Sequence, residues 1–385
     1  MIYTIKRKLR ISKTLERKLD QLANVSRFTY NWLLARSISE GKPTLAKCYE
    51  YQKEFRSLVR NRTMYNRHGE IYDDAWQEIL DSAPSQISDN ECKNVIKAWK
   101  TIKKNKIPSF KKSRLSCQSF TMHKTTKGTF KYENQVLKVR GMSFRIVNDM
   151  TLVEQSNIKL VTISKSSYGW YISVCIEIPD DTFVKHTTGE EVGIDWGVRD
   201  FATDSDGNCY SFKTEENYEK YCKLQKLIKV LQKKLCKKRE KNKEWKKSKR
   251  YEQLRIKIAY VFEKLANIRR NFLHHVSKYY LTNYDRVVIE DLKPSNMLKN
   301  HKLARSIAEN MFYTWKVMLQ YKSLWYGKEL IIINPRNTSQ TCSACGNIKQ
   351  NEEKLMLNEK IYKCNSCGLE LDRDYNAALN ILSLA

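Results

Sequence analysis

Four cysteines near the C-terminus stand in two identical pairs, Cys342-x-x-Cys345 and Cys364-x-x-Cys367, each followed by a glycine, Gly346 and Gly368. Two such pairs supply four thiolates, the full set for one closed tetrahedral zinc site, and the glycines permit the tight turns of a zinc ribbon. Four thiolates leave no position for water, so this zinc is read as structural. The second pair runs into Asp372-Arg373-Asp374-Tyr375-Asn376-Ala377-Ala378. An acidic turn fused to a metal knuckle, at the entrance of a last short helix, points to a carboxylate held in place for metal-dependent cleavage of phosphodiesters.

Two more acids end apolar runs: Asp195 after Val192-Gly193-Ile194, and Glu290 after Val287-Val288-Ile289. A carboxylate at the end of a hydrophobic strand is costly to desolvate unless it meets a cation, which makes each a candidate metal ligand. Singly, each has a structural reading: Asp195 as a turn residue, Glu290 as a partner for an arginine, Asp374 as the N-cap of the last helix. Together they fit a sheet whose first and fourth strands each carry one carboxylate while a following helix supplies the third. Such a set can hold two Mg²⁺ ions about 4 Å apart and clamp both oxygens of an in-line displacement.

The elements that must position these residues follow from hydrophobic period. Residues 3–11 alternate as a strand, and residues 12 to about 104 read as helices, with Leu15, Leu19, Leu22, Val25 and Phe28 as one stripe and Trp76, Ile79 and Leu80 opening another. Lys103-Lys104-Asn105-Lys106-Ile107-Pro108 breaks that pattern. Short strands follow to about residue 179, the clearest at 158–164 and 170–178, so the early strand and these later ones close one small β-domain with the helical segment inserted. After the strand ending at Asp195, residues 201–203 and 209–212 read as its two antiparallel neighbours around an Asp206-Gly207 turn. A helical stretch of about 65 residues carries the seam Tyr251, Leu254, Ile258, Val261, Leu265, Ile268, Phe272 and Val276, which specifies a helical hairpin or coiled coil. The strand ending at Glu290, one helix over about 304–326 and a strand at 329–334 lead to the cysteine segment.

The chain of 385 residues carries a formal charge of +29, spread along its length. That balance implies a polyanion partner, since Lys and Arg displace the counterions condensed on phosphates. The densest run lies between Lys229 and Arg250, including Lys233, Lys234, Lys237, Lys238, Arg239, Lys246 and Lys247, and reads as phosphate contact or as a solvated helix face. Tyr30, Trp32, Tyr49, Tyr51 and Tyr65 lie among basic residues, most of them read as core. Of eleven cysteines, seven are scattered (Cys48, Cys92, Cys117, Cys175, Cys209, Cys222, Cys236), the pattern of a reducing compartment with one zinc site. With no signal-peptide core and no apolar run long enough to span a bilayer, the expectation is a soluble intracellular protein with no membrane partner and no small-molecule substrate.

Gly193-Ile194-Asp195-Trp196-Gly197-Val198, Val288-Ile289-Glu290-Asp291-Leu292-Lys293, and the segment from Thr338-Ser339-Gln340-Thr341-Cys342 to Asn380-Ile381 resemble the three split RuvC motifs of TnpB proteins. These are RNA-guided nucleases carried by insertion-sequence transposons and regarded as ancestral to type V CRISPR effectors. Before residue 192 the likeness rests on the basic helical segment and Pro108-Ser109-Phe110-Lys111-Lys112. The resemblance implies an α/β and β multidomain protein. Residues 1–11 and 105–187 would form a wedge β-barrel, with a helical recognition lobe at 12–104. Residues 188–385 would form an RNase H-like RuvC nuclease domain with a helical insertion at 215–283 and a zinc ribbon at about 338–371. It implies Asp195, Glu290 and Asp374 as catalytic magnesium ligands, Asp372 as a spare acid, and nucleic-acid contacts through Lys111, Lys112, Lys233, Lys234, Lys237, Lys238 and Arg239. Implied partners are a guide RNA from the transposon end and a double-stranded DNA target, in a prokaryotic cytoplasm at the nucleoid. A small type V CRISPR effector, a cleavage-dead RNA-guided repressor and an accessory transposase are the alternatives. The order Asp, Glu, Asp disfavours DDE transposase chemistry, and no acid is lost as in a repressor.

Overall fold

The computed structural model describes the chain apart from residues 67–68, 104–105, 113–117, 125–129, 140, 147–152, 154–156, 184, 199, 242–247, 300–303 and 357–358. Lys104, Asn105, Cys117, Lys246 and Lys247, named above, lie outside the described residues. The chain divides into two units, Met1–Pro179 and Asp180–Ala385.

The first unit opens on β1 (Ile2–Arg10) and continues through helices α1 (Lys13–Glu40), α2 (Leu45–Arg60), α3 (Asp74–Ser82) and α4 (Ser85–Thr101). Ser12 caps α1 by accepting from the Leu15 N–H, and the predicted stripe buries Leu19, Leu22 and Val25. Six further strands follow: β2 (Ser119–His123), β3 (Phe130–Glu133), β4 (Val136–Val139), β5 (Met142–Ile146), β6 (Asn157–Ser166) and β7 (Gly169–Glu177). They form one antiparallel sheet in the order β2-β6-β7-β1-β5-β4-β3, in which β1 joins the two halves by pairing with both β7 and β5. The first strand of the chain is thus central to a sheet otherwise built more than a hundred residues later, as the split pattern of alternation required.

The second unit is built on a five-stranded sheet ordered β10-β9-β8-β11-β12, with β8 at Glu191–Asp195, β9 at Ala202–Asp204, β10 at Cys209–Tyr210, β11 at Arg286–Glu290 and β12 at Glu329–Ile333. β8, β9 and β10 are antiparallel; β8, β11 and β12 are parallel. This corrects one expectation. β10 pairs with β9 alone, because β11 takes the other edge of β8.

Between the strands lie α5 (Tyr218–Lys241), α6 (Lys249–Asn283), α7 (Pro294–Met297), α8 (Ala304–Asn310) and α9 (Phe312–Tyr326); α10 (Arg373–Ser383) ends the unit. The predicted seam divides its labour. Ile258, Val261 and Leu265 pack against Tyr221, Ile228 and Leu231 of α5 to make the hairpin, whereas Phe272 and Val276 enter the main core beneath the sheet. The single helix expected over 304–326 is broken. Met311 sits at φ 52° between α8 and α9, and its carbonyl accepts from the Thr314 and Trp315 N–H groups to start α9. The break frees the Asn310 side chain to donate to the carbonyls of Gly197 and Val198, steadying the loop that follows Asp195. No helix among the described residues is long and apolar enough to cross a membrane.

Candidate active site and metal centre

Val192 and Ile194 of β8 and Val287 and Ile289 of β11 point into the main core, with Trp196, Phe272 and Trp315. Alternation then sends Gly193, Asp195, Val288 and Glu290 to the opposite face. Val288 pairs with Gly193 and Ile289 with Ile194, so one residue further Asp195 and Glu290 end adjacent parallel strands side by side. Neighbouring strands lie about 4.8 Å apart, which brings the two carboxylates to one place.

The third acid arrives by helix packing. α10 lies on β8 so closely that a Cβ on Gly193 would stand 2.3 Å from the Ala378 carbonyl oxygen and 2.6 Å from the Leu382 nitrogen. Asp374, Ala378 and Leu382 fall four residues apart and share one helix face. Four helix residues rise about 6 Å and two strand residues about 6.6 Å, so fixing Ala378 and Leu382 over Gly193 sets Asp374 over Asp195. Asp372, not Asp374, is the N-cap: its Oδ1 accepts from the Asp374 and Tyr375 N–H groups at 2.9 and 3.1 Å. The cap reading of Asp374 is therefore corrected: Asp372 takes that place, with its Oδ1 at the helix end.

The electrostatics agree with the geometry. Burial pushes the Asp195 carboxyl well above the usual carboxylate range, and the charges of Glu290 and Asp374 push it further, against the pull of Arg373. Glu290 is buried and is also raised by desolvation, with the Thr338 hydroxyl opposing by donating to its Oε1. Arg373 donates to Asp374 Oδ1 from Nε and Nη2 at 3.2 and 3.1 Å. A buried carboxylate whose proton affinity is raised by two neighbouring acids marks a site that gains from a cation. Their oxygens are more spread than the thiols described next, which alone among the described residues form a compact ligand cluster.

The four cysteines come together as predicted, every ligand sulfur within 4.8 Å of the others. Cys342 to Cys367 and Cys345 to Cys364 are each 3.6 Å between sulfurs, close to the spacing of about 3.8 Å that tetrahedral bonds of about 2.3 Å impose. Both turns share one construction. The Gly346 and Gly368 N–H groups donate back to the Cys342 and Cys364 carbonyls, with φ of 75° and 76° that favour glycine. The N–H groups of Cys367 and Ser366 help draw the Cys364 thiol down to about 6. Cys367 accepts from the Leu369 N–H, yet the neighbouring sulfurs push it up to about 12. Four thiols so placed cannot all ionise without a metal ion between them. β13 (Ile361–Lys363) and β14 (Glu370–Asp372) make the antiparallel ribbon that delivers the knuckle to α10.

Sequence reasoning missed four residues that hold this assembly. Gly193 admits the helix. Thr338 donates to Glu290. The Asn376 amide donates to the Thr341 carbonyl at 2.8 Å and accepts from the Ser343 N–H at 3.0 Å; Asn380 donates to the carbonyls of Thr338 and Thr341 at 2.8 and 2.7 Å. Both asparagines are buried. An Asn repeated after four residues on one face of a short apolar helix was the available signal, since such a pair is buried only where backbone needs partners.

Of the nominated cations, Lys111 is engaged within the first unit: its ammonium pairs with buried Glu91 at 2.9 Å and lies 4.1 Å from the Tyr30 ring centroid. Lys112, Lys233, Lys234, Lys237 and Arg239 are exposed, and Lys238 is half-buried. Tyr30 and Tyr51 are core and Trp32 and Tyr49 pack against it, whereas Tyr65 is exposed.

Residues 173–301 match the family model OrfB_IS605, "Probable transposase", and residues 312–381 the Cas12f1-like TNB domain. InsQ of Escherichia coli K12, named "Putative RNA-guided DNA endonuclease", is 31% identical over 390 residues, covering 96% of this chain and 88% of InsQ. A protein of the same description from Streptomyces pristinaespiralis is 32% identical over 288 residues, which is 73% of this chain and 66% of that one. Among solved structures, Cas12f1 in its complex with sgRNA and target DNA matches with a TM-score of 0.59 at 15% identity, covering 96% of this chain and 83% of its own, a likeness of fold. With InsQ matched nearly end to end, the chain belongs to the TnpB family of RNA-guided DNA endonucleases.

Proposed function

We propose that this chain is the RNA-guided DNA endonuclease of an insertion-sequence transposon, cutting double-stranded DNA beside a short target-adjacent motif. The observation that carries the reading is the meeting of Asp195, Glu290 and Asp374 from β8, β11 and α10 in a member of this family. The sheet, antiparallel through β10-β9-β8 and parallel through β8-β11-β12, supports an RNase H-like RuvC domain over residues 188–385. Asp195 and Glu290 offer hard oxygen donors suited to Mg²⁺, with Asp374 closing the set from the helix. Two Mg²⁺ ions bound there would supply Lewis-acid stabilisation of the attacking and leaving oxygens. The protein's part is to hold the carboxylates converging, so that a bound cation offsets the burial that disfavours their charge, and to carry the nucleic acid on basic surfaces such as Lys233, Lys234, Lys237, Lys238 and Arg239. The cysteine cluster fits one structural Zn²⁺.

Charge alone gives sequence-independent affinity, and nothing among the described residues resembles a helix-turn-helix or finger array able to read a long site. Base pairing to a guide RNA from the transposon end supplies the specificity in this reading, as it does for the RNA-guided effectors. Residues 1–11 and 105–187 are proposed as the wedge barrel and 12–104 as the recognition lobe, together holding guide and motif. The cytoplasm is the proposed compartment.

Asp195→Ala, Glu290→Ala and Asp374→Ala should each abolish Mg²⁺-dependent cleavage while gel shifts show guide and target still bound. Wild-type cutting by all three would overturn the assignment. Site-specific cleavage without RNA, or a target that does not follow a reprogrammed guide, would overturn the RNA-guided reading.

A further inference from the structure

Glu290 is the most enclosed of the three acids, and its one side-chain donor among the described contacts is Thr338. Thr338 is itself 5% exposed, and its backbone carbonyl is taken by Asn380 of α10. The same amide reaches the Thr341 carbonyl, which Asn376 also holds, and Asn376 closes onto the Ser343 N–H inside the first cysteine turn. An unbroken chain of hydrogen bonds therefore runs from the Cys342–Cys345 turn through Asn376, Asn380 and Thr338 to the Glu290 carboxylate. Asp374 rides on the same helix as the two asparagines, two residues before Asn376 and six before Asn380.

The Asn380–Thr338 and Thr338–Glu290 links are buried, where a lost hydrogen bond is expensive, and the links to Thr341 and Ser343 are partly buried. With these links in series, loosening the cysteine turn would free Asn376, let α10 shift and release Thr338, disturbing Glu290 and Asp374 together.

We propose that Thr338 is a positioning residue for Glu290, and that the Asn376–Asn380–Thr338 chain couples the four-cysteine site to the divalent-cation affinity of the carboxylates. This rests on the carboxylates being the cation site, as argued above. Partners that orient a metal ligand without touching the metal typically govern about 10–100-fold of affinity.

The test is a Mn²⁺ titration of the full-length protein freed of nucleic acid, read from the electron paramagnetic resonance signal of unbound Mn²⁺, with zinc content measured on each sample. Thr338→Val should weaken Mn²⁺ binding by about 10–100-fold while retaining one zinc per chain, and Thr338→Ser should restore it. Asn380→Ala should weaken it too, again with zinc retained. Cys364→Ser, which removes a zinc ligand, should weaken Mn²⁺ binding at carboxylates it does not touch. Wild-type affinity in Thr338→Val, or failure of Thr338→Ser to restore, overturns the positioning role. Wild-type affinity in Asn380→Ala and in zinc-free Cys364→Ser overturns the coupling. Glu290→Ala and Asp195→Ala are measured alongside: if neither affects Mn²⁺ binding, the carboxylate site itself is wrong and both readings fall together.

Discussion

Adding one methyl group at Gly193 should cripple cleavage without touching an acid. In Gly193→Ala the new Cβ would lie 2.3 Å from the Ala378 oxygen, against an ordinary contact of 3.4 Å or more. The difference, 3.4 minus 2.3, asks for about 1 Å of retreat, and the obstacle is helix backbone, which has no rotamer to escape into. α10 cannot retreat freely, because Asn376 and Asn380 tie it to the 338–343 segment at 2.7 to 3.0 Å. Overpacking of this kind costs about 1–3 kcal/mol, or roughly 2–4 °C of melting temperature per kcal/mol in a unit of this size. The catalytic loss should be larger in proportion, since a 1 Å misplacement of a reacting group costs about 100-fold in rate. The assay is single-turnover cleavage of a guide-matched duplex in Mg²⁺, with melting temperature and zinc content taken on the same preparation. A folded, zinc-loaded variant cutting about 100-fold slower is the expected result. Cleavage at the wild-type rate would refute the claim that the approach of α10 to β8 sets Asp374.

Two further substitutions separate neighbouring roles. Asp372→Ala removes the N-cap of α10, at a cost of about 1 kcal/mol, and should lower the melting temperature slightly while leaving far more cleavage than Asp374→Ala; a dead, fully folded Asp372→Ala would move the catalytic acid to position 372. Lys322 on α9 is buried, donating to the His274 carbonyl and the Ser277 hydroxyl, and burial holds its pKa down to about 8. A folded value below the unfolded 10.5 means that the unfolded chain binds more protons, so stability rises between about pH 8 and 10.5, by on the order of 3 kcal/mol over the full window. Lys322→Met should remove that rise, and urea midpoints that climb equally in both proteins across this range would contradict it.

What the chain revealed before folding was whatever is written locally. An apolar run ending in an acid announces a strand and its end together, which is why Asp195 and Glu290 are legible in four-residue windows. The cysteine turns were equally plain, because ligand spacing and the following glycine lie within five residues. What stayed hidden depends on partners far along the chain. Gly193 is required by a helix almost two hundred residues later, and Thr338 is separated from Glu290 by 48 positions. The place of β10 at the sheet edge was decided by β11, a competitor for β8 that no local pattern can rank.

The triplet Asp372-Arg373-Asp374 shows why local reading assigned the acids of α10 incompletely. Both aspartates satisfy the composition rule for a helix start, and only hydrogen-bond direction tells them apart. Asp372 accepts from two orphan N–H groups and so fixes where the helix begins. That fixes the phase of everything after it: Asp374, Ala378 and Leu382 fall on the strand side, while Asn376 and Asn380 fall toward the cysteine segment. Arg373 lies between the two acids, donating to Asp374 and drawing Asp195 back toward ionisation. Moving the helix start by one residue would rotate the face by about 100° and carry Asp374 off the strands. The cap is therefore part of how the third acid is aimed, although it performs no chemistry itself.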